Sequence, residues 1–122
     1  MLDKNGFVFL CDFGCSEFFT PSTGTLSKAT KGTYLFMAPE MFITDKAKKV
    51  IKGRQNDIWA VGITLFNLLT KTHAFKGRGL VDLANSIKNK DADLEVLGPG
   101  RDQLKSLLSK IFEKDPEKRM TV

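Results

Sequence analysis

The motif Asp12-Phe13-Gly14 contains a carboxylate directly after a short apolar run. Residues 7–11 form that run, and a short apolar run bounded by turn residues predicts a buried β-strand. Asn5-Gly6, on the other side of the run, is typical of a tight hairpin turn. Taken alone, the tripeptide is common, and an ordinary turn at the end of a strand explains it equally well. Its chemistry therefore depends on the other motifs of the chain.

Other residue types that often carry chemistry are sparse. Cys11 and Cys15 are the only cysteines, too few and too close together for a disulfide scaffold, and no second Cys or His cluster indicates a zinc site. The only histidine, His73, is predicted to lie on a loop surface and not to act as a base. Reduced thiols fit an intracellular, cytoplasmic protein, and the sequence contains no signal peptide and no transmembrane run.

The composition predicts a packed globular protein. The chain has 122 residues, 42% of them hydrophobic, and 10 are Phe, which argues against disorder. A chain of this length is one domain or a piece of a larger one. The net charge is +5, with a basic cluster at residues 46–54, but no aromatic residues are interleaved there. A solvated basic loop is therefore favoured over a nucleic-acid patch, and no nucleic-acid or membrane partner is predicted.

The remaining elements must be organised around a central helix predicted at residues 56–71, with Asn56 and Asp57 as capping residues. It carries two apolar stripes, which are Ile58, Val61, Leu65 and Leu68 on one side and Trp59, Ile63 and Phe66 on the other. Two stripes need two covering layers. The chain offers only the amphipathic helices predicted near residues 80–88 and 103–112, so the stripe of Trp59 is expected to lack a cover. The isolated chain is then expected to be molten, self-associating or dependent on a partner.

The segments before the central helix are mostly loop. Residues 16–31 are rich in Ser, Thr, Gly and Lys, and so long a loop is typical of a functional segment. Pro39 is suited to the first turn of a short helix. Gly98-Pro99-Gly100 predicts a turn between the second and third helices, and Pro116 follows the end of the third. The fold class predicted is α+β, mostly helical, with a short β element at the N-terminus.

Four signals then occur in a specific order and spacing. They are Asp12-Phe13-Gly14, Ala38-Pro39-Glu40, Asp57-x-Trp59-x-x-Gly62, and Arg119 in Asp115-Pro116-Glu117-Lys118-Arg119. The first two belong to the signature set of protein kinases. In this combination the chain resembles, over residues 1–122, the C-terminal lobe of a eukaryotic protein kinase. The residues around the first two motifs are most similar to those of calcium/calmodulin-dependent kinases and their kinase kinases.

The resemblance implies a partial kinase domain that lacks the N-terminal lobe, the catalytic loop and the last helix. It implies ATP and Mg²⁺ as cofactors of the complete domain, with Asp12 as the Mg²⁺ ligand. Cys11, Phe13 and Gly14 are then expected beside the nucleotide, with Cys11 lining the back of its pocket. Phe13 is expected to pack into the core and to report the active or inactive state.

The resemblance also makes residues 12–40 the activation segment. Thr30 stands where such kinases carry an activating phosphothreonine, and it is favoured over the neighbouring hydroxyls of Thr23, Thr25 and Ser27. Thr33 is expected to hydrogen-bond near the catalytic base, and Leu35, Phe36 and Met37 to contribute to substrate binding. Residues 34–37 lack the Pro-x-Lys/Arg-Trp pattern of tyrosine kinases, which favours Ser/Thr specificity.

Structural roles follow for the remaining motif residues. Glu40 and Arg119 are implied to form a buried ion pair, and such a pair is costly to break on one side. Asp57 is implied to hold the backbone N–H groups of the catalytic loop, while Trp59 and Gly62 belong to the central helix. Without the other motifs, Glu40 and Asp57 would each be explained as a helix-capping residue or as part of a surface ion pair.

The catalytic residues of the family are not in this sequence. No His-Arg-Asp motif is present, and the catalytic Asp is expected upstream of Met1. Two functions stay open. The parent is an active Ser/Thr kinase, with protein substrates and with an upstream kinase or calcium/calmodulin as regulator, and this chain alone is inactive. Alternatively, the chain is a truncated, non-catalytic module that binds a partner or a substrate.

Overall fold

The computed structural model describes residues 1–16, 32–43 and 52–122. The predicted phosphosite Thr30, its neighbouring hydroxyls and the lysines at 46, 48 and 49 lie outside the described residues. The described part is mostly helical, with helices α1 at Gly53–Thr70, α2 at Leu80–Asn89 and α3 at Asp102–Ile111. Short 3₁₀ turns occur at Phe13–Cys15, Tyr34–Phe36, Pro39–Phe42 and Leu94–Leu97. None of the described helices is both long and apolar enough to cross a bilayer.

The N-terminal β element is smaller than predicted. It consists of a single antiparallel bridge between Leu2 and Val8, closed by a turn in which Gly6 has a φ of 87°. The Asp3 carboxylate stabilises the turn by accepting hydrogen bonds from the backbone N–H groups of Asn5 and Phe7. The prediction of a buried strand at residues 7–11 is wrong, because this apolar run is exposed. Its length and hydrophobicity predicted burial, but burial requires a facing layer, and no described segment supplies one.

Helix α1 begins three residues before the predicted start. Lys52 is the residue that precedes its first turn, and no side chain caps its N-terminus. The prediction that Asn56 and Asp57 are capping residues is therefore wrong, since both lie inside the helix. At the other end Lys71 adopts a left-handed conformation, with a φ of 55°, and its N–H donates to the carbonyl of Asn67 at 2.8 Å. Such a left-handed residue is a common way for a helix to end.

The covered stripe of α1 is the one that was expected to be bare. Trp59 is 0% exposed and lies in the core with Ile63 and Phe66. Its indole stacks on Phe75, with ring centroids 5.5 Å apart, and meets the edge of Phe112 at 5.3 Å. The other stripe is only partly covered: Ile58 and Leu65 pack against the core, whereas Val61 is 57% exposed and Leu68 is 74% exposed. Both stripes are apolar, so hydrophobicity alone could not indicate which of them the available layers cover.

Helices α2 and α3 occur where the apolar spacing predicts them. α2 buries Leu83 and Ile87, and α3 buries Leu108 and Ile111. The turn between them uses Gly98 and Gly100 at positive φ, as its Gly-Pro-Gly sequence predicts. The intervening 3₁₀ turn at Leu94–Leu97 was not predicted, and its Leu97 joins the core.

Gly62 sets the distance between α1 and α3. A Cβ atom at this position would lie 2.3 Å from Cγ2 of Ile111 and 3.1 Å from Cε1 of Phe112. Both distances are shorter than a normal van der Waals contact, so a side chain would force the helices apart. Glycine is therefore needed here for close packing, and its φ is not left-handed.

Candidate functional site

Glu40 is brought into the interior by the short 3₁₀ turn Pro39–Phe42. Pro39 occupies the first position of this turn, where its fixed φ suits a helical start and its missing N–H has no cost. The N–H of Met41 donates to the carbonyl of Ala38 at 2.9 Å, and Ala38 itself is fully buried. The turn therefore presents the Glu40 carboxylate to the core, where it is 3% exposed.

Arg119 reaches the same place from the C-terminal side of α3. After that helix the chain makes a tight turn in which the N–H groups of Lys118 and Arg119 both donate to the carbonyl of Asp115. The Asp115 carboxylate accepts from the N–H of Glu117 at 3.0 Å and stabilises this turn. The turn directs the Arg119 side chain inward, where none of it is exposed.

The two side chains form a bidentate ion pair between residues 79 positions apart. Nη1 of Arg119 donates to Oε1 of Glu40 at 2.8 Å, and Nη2 donates to Oε2 at 2.9 Å. This arrangement matches the fork of the guanidinium to the two oxygens of the carboxylate. Because the pair is buried, removal of either partner leaves the other charge without compensation, which costs about 3–5 kcal/mol.

The remaining donors of Arg119 bind three backbone carbonyls. Nη1 also donates to Gln55 at 3.0 Å, Nε to Glu113 at 2.9 Å and Nη2 to Lys114 at 3.3 Å. All five N–H donors of a guanidinium are thus used. The guanidinium also lies over the indole of Trp59. Arg119 therefore joins the turn of Glu40, the start of α1 and the segment after α3.

Asp12 lies in a separate, exposed segment. It has a left-handed backbone, with φ 64° and ψ 72°, and its Oδ1 accepts from the N–H of Gly14 at 3.4 Å. The hydrogen bonds that residues 1–16 make with other described residues all stay within this segment. Its carboxylate is open to solvent.

Two expectations for the neighbours of Asp12 are not met in the described structure. Phe13 is 68% exposed and does not pack into the core, and Cys11 is exposed instead of lining the back of a pocket. Both expectations assumed a layer over the segment at residues 11–14. Without such a layer an aromatic ring has no apolar surface to cover it, whatever its own hydrophobicity.

The predicted substrate segment is split between surface and core. Thr33 is exposed at the start of the 3₁₀ turn Tyr34–Phe36. Leu35 and Phe36 pack against the main core, and Met37 is buried in a small cluster with Met41. The open positions are therefore Thr33 and Tyr34, and Tyr34 is a residue that the sequence analysis did not select.

Asp57 lies on the open side of α1. It is exposed and shares that side with Val61 and Leu68, which follow it at helical spacings of four and eleven residues. Partial burial of its carboxyl group raises the pKa of Asp57 above its usual value. Within the described part of the chain, the Asp57 carboxyl group has no hydrogen-bond partner. The predicted contact to a catalytic loop cannot form within these 122 residues, because the sequence contains no such loop.

Lys114 is a further residue of this region that sequence reasoning missed. Its ammonium lies 4.3 Å from the ring centroid of Phe75 and donates to the backbone carbonyls of Ile87 and Lys90. The pKa of Lys114 is lowered to about 8, mainly because the surrounding core desolvates the ammonium and also because Arg119 is nearby, while Asp91 and Glu113 oppose the shift. Nothing in the local sequence distinguishes Lys114 from the exposed lysines nearby.

Comparison with known proteins agrees with this arrangement. Residues 1–122 match the family model described as the protein kinase domain. The serine/threonine-protein kinase ppk34 of Schizosaccharomyces pombe is 38% identical over 122 residues, which is 100% of this chain and 33% of that protein. Two calcium/calmodulin-dependent protein kinase kinases each match 98% of this chain and 22% of their own length, cmkC of Emericella nidulans at 30% identity and one from Caenorhabditis elegans at 33%.

The chain belongs to the protein kinase domain family. Its relatives are serine/threonine protein kinases, as predicted. They include calcium/calmodulin-dependent kinase kinases, the group that the residues around the motifs resemble. The chain spans a third or less of each of these relatives. Its mostly helical structure fits the predicted helical part of a kinase fold.

Proposed function

We propose that this chain is part of a serine/threonine protein kinase whose complete domain transfers the γ-phosphate of ATP to Ser and Thr side chains of proteins. The bidentate pair of Glu40 and Arg119 carries this proposal, together with the kinase-domain match. The pair places the end of the segment at residues 12–40 firmly on the helical core. Phosphoryl transfer depends on positioning, so a rigidly anchored segment is what the reaction requires.

Asp12 is the proposed ligand of the Mg²⁺ that accompanies ATP. Its carboxylate is exposed and, among the described residues, accepts a single backbone hydrogen bond, which leaves oxygen lone pairs for a metal. No group of three or more metal-binding side chains occurs among the described residues. That is compatible with Mg²⁺, which is bound through one or two carboxylates and the phosphates of the nucleotide. The bound ion would neutralise charge on the transferred phosphoryl group.

Substitution of Asp12 tests this role in the complete domain. Asp12→Asn should lower the rate of phosphate transfer to a protein substrate by orders of magnitude and raise the Mg²⁺ concentration needed for half-maximal activity. Asp3→Asn is the matched control, because Asp3 stabilises only the hairpin turn. An Asp12→Asn enzyme with the unsubstituted rate and Mg²⁺ dependence would refute the assignment.

The 122-residue chain by itself is proposed to be inactive. The only histidine, His73, is followed by Ala74, so the sequence contains no His-Arg-Asp motif and supplies no catalytic base. Incubation of the purified chain with ATP, Mg²⁺ and a protein substrate should give no phosphate transfer. Transfer that disappears with Asp12→Ala would show that this part of the proposal is wrong.

Regulation is proposed to act through Thr30 in the segment at residues 12–40. Phosphate on a hydroxyl adds up to about two negative charges and can order a loop against cationic groups. Thr30→Ala should therefore lower the activity of the complete kinase, with Ser27→Ala as the control. Calcium/calmodulin or an upstream kinase is the proposed regulator, and two relatives that are calcium/calmodulin-dependent protein kinase kinases support the first of these.

The open face of α1 favours a second candidate function. Val61 and Leu68 are exposed apolar residues on a helix whose opposite side is packed in the core, and such a face suits a protein partner. In this alternative the chain is a non-catalytic kinase-like module. The size of the endogenous protein distinguishes the two candidates. A longer product that carries His-Arg-Asp supports the kinase, and a product of this length supports the module.

A further inference from the structure

Lys114 holds the C-terminal end of α2. Its Nζ donates to the carbonyl of Ile87 at 2.8 Å and to the carbonyl of Lys90 at 2.6 Å. Ile87 belongs to the last turn of α2, and Lys90 is the residue at which the helix ends. The last four carbonyls of a helix have no partner within the helix, and a cation near them interacts favourably with the helix dipole. The Lys114 side chain thus supplies a capping interaction from 24 residues beyond the helix end.

The same residue contacts the buried ion pair. The backbone carbonyl of Lys114 accepts from Nη2 of Arg119 at 3.3 Å. Both cations lie over one aromatic ring, with Nζ of Lys114 at 5.3 Å and Cζ of Arg119 at 5.0 Å from the centroid of Trp59. Arg119 lowers the pKa of Lys114, so the two positive charges repel each other in this partly desolvated site. The carboxylate of Glu40 neutralises Arg119 and thereby limits this repulsion.

We propose that Lys114 couples the Glu40–Arg119 ion pair to the C-terminal end of α2, so that loss of the Glu40 carboxylate weakens the attachment of this end of α2 to the core. Without Glu40 the charge of Arg119 is no longer balanced, and its repulsion of the Lys114 ammonium increases. Asp91 and Glu113 act in the opposite direction by favouring the ammonium form. Their attraction does not replace Glu40, because Glu40 acts on Arg119 directly.

The coupling gives the chain a connection between two distant parts of its sequence. Glu40 lies within the segment at residues 32–43, and α2 is a helix with one exposed side. A disturbance at Glu40 passes through Arg119 and Lys114, each of which contacts the next by a hydrogen bond or an ion pair. By thermodynamic reciprocity, a disturbance at Lys114 must also reach the turn of Glu40.

Amide hydrogen exchange of the 122-residue chain tests the first direction. The reporter is the N–H of Lys90, which donates to Ser86 at the end of α2, and the reference is the N–H of Phe112, which donates to Leu108 in α3. Glu40→Gln should accelerate exchange at Lys90 by about tenfold relative to Phe112, because local opening of α2 becomes easier. Glu117→Gln is the control, since Glu117 pairs with Lys52 and should leave the ratio unchanged.

Substitutions at Lys114 show whether this residue carries the effect. Lys114→Met keeps the apolar stem and should accelerate exchange at Lys90 with Glu40 intact, whereas Lys114→Arg keeps a cationic donor and should accelerate it less. Adding Glu40→Gln to Lys114→Met should bring no further acceleration at Lys90. An equal acceleration by Glu40→Gln with and without Lys114, or none in either case, would overturn the proposal.

The reverse direction supplies a test that does not require the Glu40 variant to fold. The N–H of Met41 donates to Ala38 within the turn that carries Glu40. Lys114→Met should accelerate exchange at Met41 relative to Phe112, and Lys114→Arg should restore the slower rate. If exchange at Met41 stays unchanged in Lys114→Met while exchange at Lys90 accelerates, Lys114 only caps α2 and the coupling does not exist.

Discussion

The guanidinium carbon of Arg119 lies 5.0 Å from the ring centroid of Trp59, so the residue that binds Glu40 also covers the indole of the central helix. The two interactions depend on each other, because the bidentate pair fixes the plane of the guanidinium over the ring. Trp59 is the only tryptophan of the chain and therefore reports on the ion pair by its fluorescence. The loss of the buried ion pair can therefore be followed through the fluorescence of Trp59.

Glu40→Ala should destabilise the fold strongly. It leaves the Arg119 guanidinium buried without a counter-charge, and the expected loss in the free energy of unfolding is about 3–5 kcal/mol. Urea denaturation monitored by Trp59 fluorescence measures this loss. Glu117→Ala is the control, because it removes only an exposed surface pair with Lys52 and should cost no more than about 1 kcal/mol. Similar losses for both variants would show that the buried pair contributes no more to the free energy of unfolding than the exposed pair.

Gly62→Ala should separate α1 from α3. The added methyl group has no space beside Ile111 and Phe112, and overpacking of this kind costs about 1–3 kcal/mol in the free energy of unfolding. Gly79→Ala is the matched control, since its Cβ would have no neighbour within 4 Å and its backbone is extended. Equal stability of both variants in denaturant would mean that the helices can move apart without cost.

The two stripes of α1 should differ sharply in their sensitivity to truncation. Phe66→Ala empties a buried site and should lower the free energy of unfolding by about 3–5 kcal/mol. Leu68→Ala removes an exposed side chain from the other stripe and should change it by about 0.5 kcal/mol or less. A large loss for Leu68→Ala, measured at several protein concentrations, would instead indicate that self-association covers the open stripe.

Lys114 should make stability depend on pH in the alkaline range. Its pKa is about 8 in the folded chain, whereas an ordinary lysine, as in the unfolded chain, has a pKa of 10.5. Between pH 8 and pH 10.5 the unfolded chain therefore binds more protons at this site than the folded chain. Unfolding therefore becomes less favourable as the pH rises from about 8 towards 10.5, whereas below about pH 8 the desolvated ammonium destabilises the fold by a constant amount.

The comparison with Lys114→Met isolates this contribution. All other groups are shared by the two proteins, so their effects cancel in the difference between the two free energies of unfolding. This difference, taken as the unsubstituted chain minus the variant, should increase between pH 7.5 and pH 9.5. A constant difference over this range would show that the pKa of Lys114 is not lowered in the folded chain.

Much of the helical structure and the central ion pair could be predicted from the sequence. The spacing of Leu83 and Ile87, and of Leu108 and Ile111, is enough to locate α2 and α3, because a helix repeats its buried face every three to four residues. The partnership of Glu40 and Arg119 came from the resemblance to kinases and not from any local pattern. It is confirmed by the hydrogen bonds between them.

Other features were decided only by tertiary structure. Trp59 and Val61 are both apolar residues of α1, and the choice of which stripe to bury depended on where α3 and Phe75 approach the helix. Residues 7–11 have the hydrophobicity of a buried strand, yet burial needs a second layer that a local pattern cannot specify. Lys114 resembles an ordinary surface lysine until the chain folds, because its two carbonyl acceptors belong to residues at least 24 positions away.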